Sequence, residues 1–308
     1  MEAGKWLPNP RYRALYARVT GTREAELFGP DEPALDSAHS PARPVPGDVA
    51  DAVTTVELAR RLRLSDVDTA TLETLAAVTG SLCTQYAYRR PDELRAEAQR
   101  WFVYVVELLG KRVGLYEHRE LLVTAGWLAL LIGCVEYDSG LAVAAESTRL
   151  SALQLGAGHS EITAWALEMA AWFAHTLREP DQTVSYAEAG QDAARSAGVA
   201  VQLVAHEARA LARMGKVNGV HEALERGHTL LSRMPRPSNP RHPFVVDPDK
   251  FDFYAVDAYR VVGVNDRAAA HATEVLRTGR GPGGEDLAPM RMAEARIILA
   301  AVAARGRP

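Results

Sequence analysis

Proline is the residue that most constrains this chain, because it removes a backbone donor and clashes with the preceding turn, so it does not lie inside a regular helix. Of the 17 prolines in 308 residues, seven fall in residues 1–50, only Pro91 and Pro180 lie between 51 and 234, and five crowd into 235–248. The long middle stretch is free to be helix almost throughout, and nothing in it shows the period-two alternation of a strand. Pro30, Pro33, Pro41, Pro44 and Pro46 make 30–47 an extended linker. That linker sets residues 1–29 apart as a small element, followed by a helical domain over 48–308.

Within that domain, Leu72, Leu75, Ala76, Thr79, Leu82, Cys83 and Tyr86 repeat at three and four, which predicts a helix with Ser65 or Asp66 as its N-cap. A second helix opens at Pro91, with Leu94, Trp101, Val105 and Leu108 on one face, and should pack antiparallel to the first. Helices are then expected over 116–137, 139–156, 159–178, 180–197, 199–214 and 217–233, a helix-pair period of about 40 residues. Ala208, Leu211, Gly215 and Val220, and again Tyr254, Ala258, Val261 and Ala270, sit near the small-residue and turn positions of tetratricopeptide pairs. The expected fold is all-α: a right-handed superhelical solenoid of antiparallel helix pairs, tetratricopeptide-like.

Composition narrows the function. A net charge of -4 argues against a general polyanion binder, since nonspecific affinity for nucleic acid needs an excess of Lys and Arg. Cys83 and Cys134 fall in apolar helical patterns, as small buried hydrophobes in a reducing compartment do. The longest apolar run, Leu121 to Val135, is interrupted by Thr124 and flanked by Glu120 and Glu136, too short for a bilayer and suited to a core helix. MEAGKWLPNP lacks the apolar core of a signal peptide, so the expectation is a cytoplasmic protein without membrane contact.

No G-x-S-x-G, Walker, H-E-x-x-H or C-x-x-C pattern is present, and GRGPGG at 279–284 follows a helix rather than a strand, so no enzyme class gains support. No cofactor or metal is expected either. Asp247, Asp249 and Asp252 read as helix-capping residues, with Asp247 as N-cap before Pro248, and His221, Glu225 and His228 as a surface face without a fourth ligand. HEAR at 206–209 lacks the second histidine of a zinc helix.

The most informative stripe is Trp165, Glu168, Trp172 and His175, at offsets of 0, 3, 7 and 10 on one helical face. Aromatics mixed with a carboxylate and an imidazole suit the wall of a groove, whereas Trp101 and Trp127 read as core. Lys250, Tyr254 and Asp257 form a second such face. Between them, Pro235 to Val246 is a proline-stiffened loop, either a lid over the groove or a cap on the solenoid's end.

The runs LLVTAGWLALLIGCVEYDSGLAVAAESTRLSALQLGAGHSEITAWALEMAAWFAHTLREP, HPFVVDPDKFDFYAVDAYRVVG and APMRMAEARIILAAVAARG resemble the tetratricopeptide-like regulatory region of actinobacterial helix-turn-helix transcriptional regulators of the XRE type, over roughly 50–305. MEAGKWLPNPRYRALYARVTGTREAELFG is similar to the end of that family's DNA-binding domain, with Glu2, Gly4 and the Pro8–Tyr12 element at matching places. The family's recognition helix would precede this stretch, so DNA contact is expected only through a domain or partner outside it. The resemblance implies a ligand-sensing and dimerising region, often associated with specialised metabolism, that binds a small molecule or peptide in its concave groove. Trp165, Glu168, Trp172, His175, Lys250, Tyr254 and Asp257 are the candidate contacts. Two alternatives stand beside it: a protein-interaction scaffold without a small-molecule ligand, and a biosynthetic enzyme repurposed from the regulator scaffold, with Glu168 or Asp257 as base and His175 as acid.

Overall fold

A computed structural model describes residues 54–57, 64–194, 197–235, 242–246, 248–281 and 283–305. The expected N-terminal element 1–29, the linker 30–47 and the Asp247 cap lie outside the described residues. The chain divides into two compact units, Met1–Ala59 and Arg60–Pro308, and the helices below belong to the second.

In chain order these helices are α1 (Thr69–Gln85), α2 (Pro91–Leu109), α3 (Leu115–Asp138), α4 (Ala142–Leu155), α5 (Ser160–Thr176), α6 (Pro180–Ala193), α7 (Ala197–Arg213), α8 (Val217–Leu231), α9 (Pro248–Val261), α10 (Asn265–Thr278) and α11 (Pro289–Arg305). Among the described residues there is no strand, only an isolated bridge between Arg280 and Asp286. The fold is all-α, as the proline distribution requires.

The N-cap of α1 is Asp68, not Ser65 or Asp66. Its Oδ1 accepts from the Thr71 backbone N–H at 2.8 Å and from the Thr71 hydroxyl at 2.6 Å. Ser65 instead closes a short turn onto Val67, and the Asp66 N–H donates to the Arg112 carbonyl at 2.8 Å. Pro91 opens α2 as expected, with Asp92 and Glu93 favourably placed at the positive end of the helix dipole. The expected α1–α2 pair is weak: both helices pack chiefly on α3. That helix is long and apolar enough to cross a membrane by composition, yet 72% of its apolar window is buried inside the fold.

From α3 onward each odd helix packs on the even helix that follows it, and α3, α5, α7 and α9 also meet one another in turn. Left-handed residues after each of these four, Gly140, Arg178, Gly215 and Gly263, reverse the chain into the next helix. Aligning the chain on them places Trp127, Trp165, Gln202 and Lys250 at one equivalent position, and Cys134, Trp172, Arg209 and Asp257 at another two turns later. This register corrects the second sequence match, since Ala268 is buried where Val220 stands and Ala270 is exposed.

The core is continuous from Leu75 through Leu130, Met169, Leu203 and Leu224 to Phe251. At Gly227 an added Cβ would lie 2.2 Å from the Phe251 ring, so only glycine lets α8 and α9 approach this closely. Cys83 and Cys134 are buried free thiols. Trp101 and Trp127, read from sequence as core, are only half-buried and pack at its edge.

Candidate functional site

The α5–α7–α9 face carries a chain of polar contacts. Glu168 on α5 is buried, and its Oε1 accepts from His206 Nε2 at 2.9 Å and from Gln202 Nε2 at 3.1 Å, both on α7. Gln202 also donates to the Tyr254 hydroxyl on α9 at 3.0 Å. The Tyr254 ring lies 5.0 Å from the Arg209 guanidinium and 5.6 Å from the Lys250 ammonium, a cation–π arrangement. Asp257 accepts from Arg209 Nε at 3.0 Å and from Arg260 Nη2 at 2.9 Å.

Burial works against a charge on Glu168, but the hydrogen bonds from His206 and Gln202 and the nearby Lys250 ammonium outweigh it and hold the carboxyl below its ordinary range. Burial likewise opposes Lys250, while Tyr254 and Glu168 raise it. For His206 burial prevails, so the ring is neutral and its proton is assigned to Nε2 by the bond to Glu168. Asp257 is depressed because Arg209 and Arg260 overcome its burial.

A second region lies towards the N-terminal ends of α3 and α5. Segment 242–246 inserts Phe244 between Trp127 and Trp165, with ring centroids 5.5 Å from each. His242 holds the local turn by accepting the Phe244 N–H at 3.2 Å. On one side of Phe244 is a cavity of about 430 Å³ reaching Cys83, Thr124 and Trp127; on the other is one of about 340 Å³ reaching Trp165, Val199 and Met234. Glu161, Phe244 and Val245 line both. Trp165 is 3% exposed, and its indole N–H has no protein acceptor. A larger cleft of about 740 Å³ between α1 and α2 is lined largely by exposed side chains such as Asp68, Thr74 and Arg100 and is an open surface.

The sequence stripe therefore does not act as one wall. Trp165 lines the smaller cavity beside Phe244, Glu168 is committed to His206 and Gln202, and half-buried Trp172 packs on Tyr137 and Phe173 with ring centroids at 4.8 and 5.4 Å. His175 lies further on, 6.2 Å from the His206 ring, with no protein partner for either nitrogen. Lys250, Tyr254 and Asp257 do share a face, and it meets α7.

Sequence reasoning missed Gln202, His206, Arg209 and Arg213, the α7 residues that connect α5 to α9. Their offsets of 0, 4, 7 and 11 mark a polar stripe on one face of α7, apart from Glu207, which turns to Gln191 and Arg226. His221 instead meets the Tyr259 hydroxyl at 3.3 Å, and His228 stacks on His271. Among the described residues no three His, Cys, Asp or Glu side chains are grouped to hold a metal.

A pH dependence follows. Burial first, then the charges of Arg209 and Arg213, push His175 down to about 3, and His206, His228 and His242 are lowered by burial in the same sense. The unfolded chain takes up these protons near pH 6.5 while the native state refuses them, so stability is lost as pH falls below about 6.5. Glu168 and Asp257, both depressed, add stability present above their unfolded values and lost as pH falls through their folded ones. Urea unfolding should thus show a decline between about pH 7 and 5, ahead of carboxylate titration, and His175→Gln should flatten it. An unaltered slope in that variant would show that His175 is hydrated in solution.

Comparison of the chain with protein-family models, curated proteins and solved structures gave no match.

Proposed function

We propose that the helical region is a tetratricopeptide-like, right-handed solenoid serving as the sensing and dimerising half of a transcriptional regulator, as the resemblance to XRE-type proteins implies. The ligand is a small molecule bound beside Phe244. The observation that carries this reading is the Phe244 insertion, which leaves cavities of about 430 and 340 Å³, each in the range of small-molecule sites. An aromatic-lined space with one uncommitted indole donor at Trp165 suits a largely apolar ligand bearing a hydrogen-bond acceptor.

A ligand that displaces or locks Phe244 would change how the α8–α9 connection is tied to α3 and α5, and a DNA-binding domain or partner would report the shift in population. An open scaffold groove would leave Trp165 accessible, whereas it is covered. The enzyme reading has less support, because Glu168 Oε1 already accepts two donors and Asp257 is paired with two arginines. Dimerisation is supported by Val103, Tyr104 and Val106, exposed together on α2.

The test is a thermal-shift screen of the full chain against a diverse library of small aromatic and aliphatic compounds, read together with indole fluorescence. Binders should raise Tm and quench tryptophan emission, and Trp165→Phe, which keeps an aromatic ring but removes the indole donor, should weaken the best of them by about tenfold. A library that yields no saturable binder, or binders indifferent to Trp165→Phe and Phe244→Ala, refutes the reading.

A further inference from the structure

Three exposed arginines, Arg178 in the turn after α5, Arg213 at the end of α7 and Arg260 in the last turn of α9, lie within electrostatic reach of one another and of Arg209 on α7. Asp257 lies among them and pairs with two, Arg209 and Arg260. Arg178 and Arg213 form no salt bridge among the described residues, although Arg213 Nη1 donates to the His175 carbonyl at 2.9 Å. Burial and then the charge of Arg209 hold the Arg213 guanidinium below its ordinary pKa, with Arg178 and Arg260 adding to it. This cationic surplus stands in a chain whose net charge is -4, so composition does not account for it.

His175 supplies an independent observation. The side chain is 3% exposed, Arg213 binds its own carbonyl, and neither ring nitrogen has a protein partner. Buried imidazoles ordinarily satisfy at least one nitrogen, since leaving a polar group desolvated and unpaired costs free energy. The neutral ring offers one N–H donor and one lone pair.

Backbone geometry points the same way. Arg178 is the one non-glycine residue with positive φ among those described, at 62°, in a turn position filled elsewhere by Gly140, Gly215 and Gly263. An L-residue is strained there. Helix dipoles favour a cation at any helix C-terminus, which explains each arginine singly. They do not explain a buried histidine with both nitrogens unpaired.

We propose that this cluster binds an oxyanion, the carboxylate or phosphate group of a small molecule, held by Arg178 and Arg213 with a hydrogen bond from His175. The guanidinium fork matches both groups. The site lies ten residues along α5 from Trp165, about 15 Å away, and stands whether or not the Phe244 cavities are occupied.

The test titrates the full chain with inorganic phosphate and, separately, with citrate, against sodium chloride at matched ionic strength, following Tm and the imidazole proton resonances of His175. Either oxyanion should raise Tm saturably beyond chloride and shift those resonances. A response to phosphate alone assigns a phosphate ligand, to citrate alone a carboxylate, and to both a shared oxyanion site. Arg178→Gly relieves the left-handed strain, so it should fold at least as stably as the parent yet bind about tenfold more weakly; Arg213→Gln should weaken binding similarly. No response beyond chloride, or a response that both variants keep in full, overturns the proposal.

Discussion

Replacing Glu168 with alanine is expected to destabilise the folded chain by about 3–5 kcal/mol. The carboxylate accepts from His206 and Gln202 and lies near the half-buried Lys250 ammonium, so its removal strands two buried donors and leaves that ammonium without its counter-charge. Urea unfolding at pH 7 should show a lower midpoint with an unchanged m-value, because the surface exposed on unfolding is the same. Glu168→Gln, which keeps an acceptor and loses only the charge, should fall between parent and alanine variant. A loss below about 1 kcal/mol for alanine would place Glu168 among ordinary exposed pairs and remove the polar chain as an organising feature. The outcome also bears on chemistry, since a carboxylate committed to holding three helices together is poorly placed to shuttle a substrate proton.

Phe244→Ala is expected to cost about 3 kcal/mol and to join the two cavities that Phe244 now separates. The ring is 7% exposed and touches both Trp127 and Trp165, so its loss removes packing from three aromatics together. Tryptophan emission should shift to longer wavelength as water enters, and an apolar dye such as anilinonaphthalene sulfonate should bind where it does not bind the parent. If the segment acts as a displaceable plug, the same variant should bind a screened ligand more tightly, because the free energy of displacing the ring is no longer required. Unchanged stability together with unchanged fluorescence would mean that 242–246 does not rest on these tryptophans in solution.

Much of the architecture is legible in the sequence. Seventeen prolines, two of them in the long middle, leave room for little but helix there, and Pro91 and Pro180 do open α2 and α6. At α1, Ser65, Asp66 and Asp68 are all competent caps, and Asp68 takes the role because Ser65 folds onto Val67 and the Asp66 backbone is tied to Arg112. Trp127 was misjudged because its face meets segment 242–246, which has no periodicity to announce where it lands.

The candidate site was legible only in outline. Spacing alone put Trp165, Glu168, Trp172 and His175 on one face, since the helical period is a local property of the backbone. Their separation into an aromatic cavity, a buried polar pair, a packed edge and an unpartnered imidazole depended on contacts far away in the chain. Glu168 meets His206 across 38 positions, and Gln202 meets Tyr254 across 52.

By itself, then, the sequence determined that the long middle of the chain is helical, that Pro91 and Pro180 open helices, and which residues share a face, because proline sterics and the 3.6-residue period act over a few neighbouring residues. Tertiary structure alone decided that α7 would link α5 to α9, that Phe244 would divide a cavity, and that His175 would be left unpaired near Arg209 and Arg213. Those outcomes rest on distances and desolvation between helices, which no local pattern encodes.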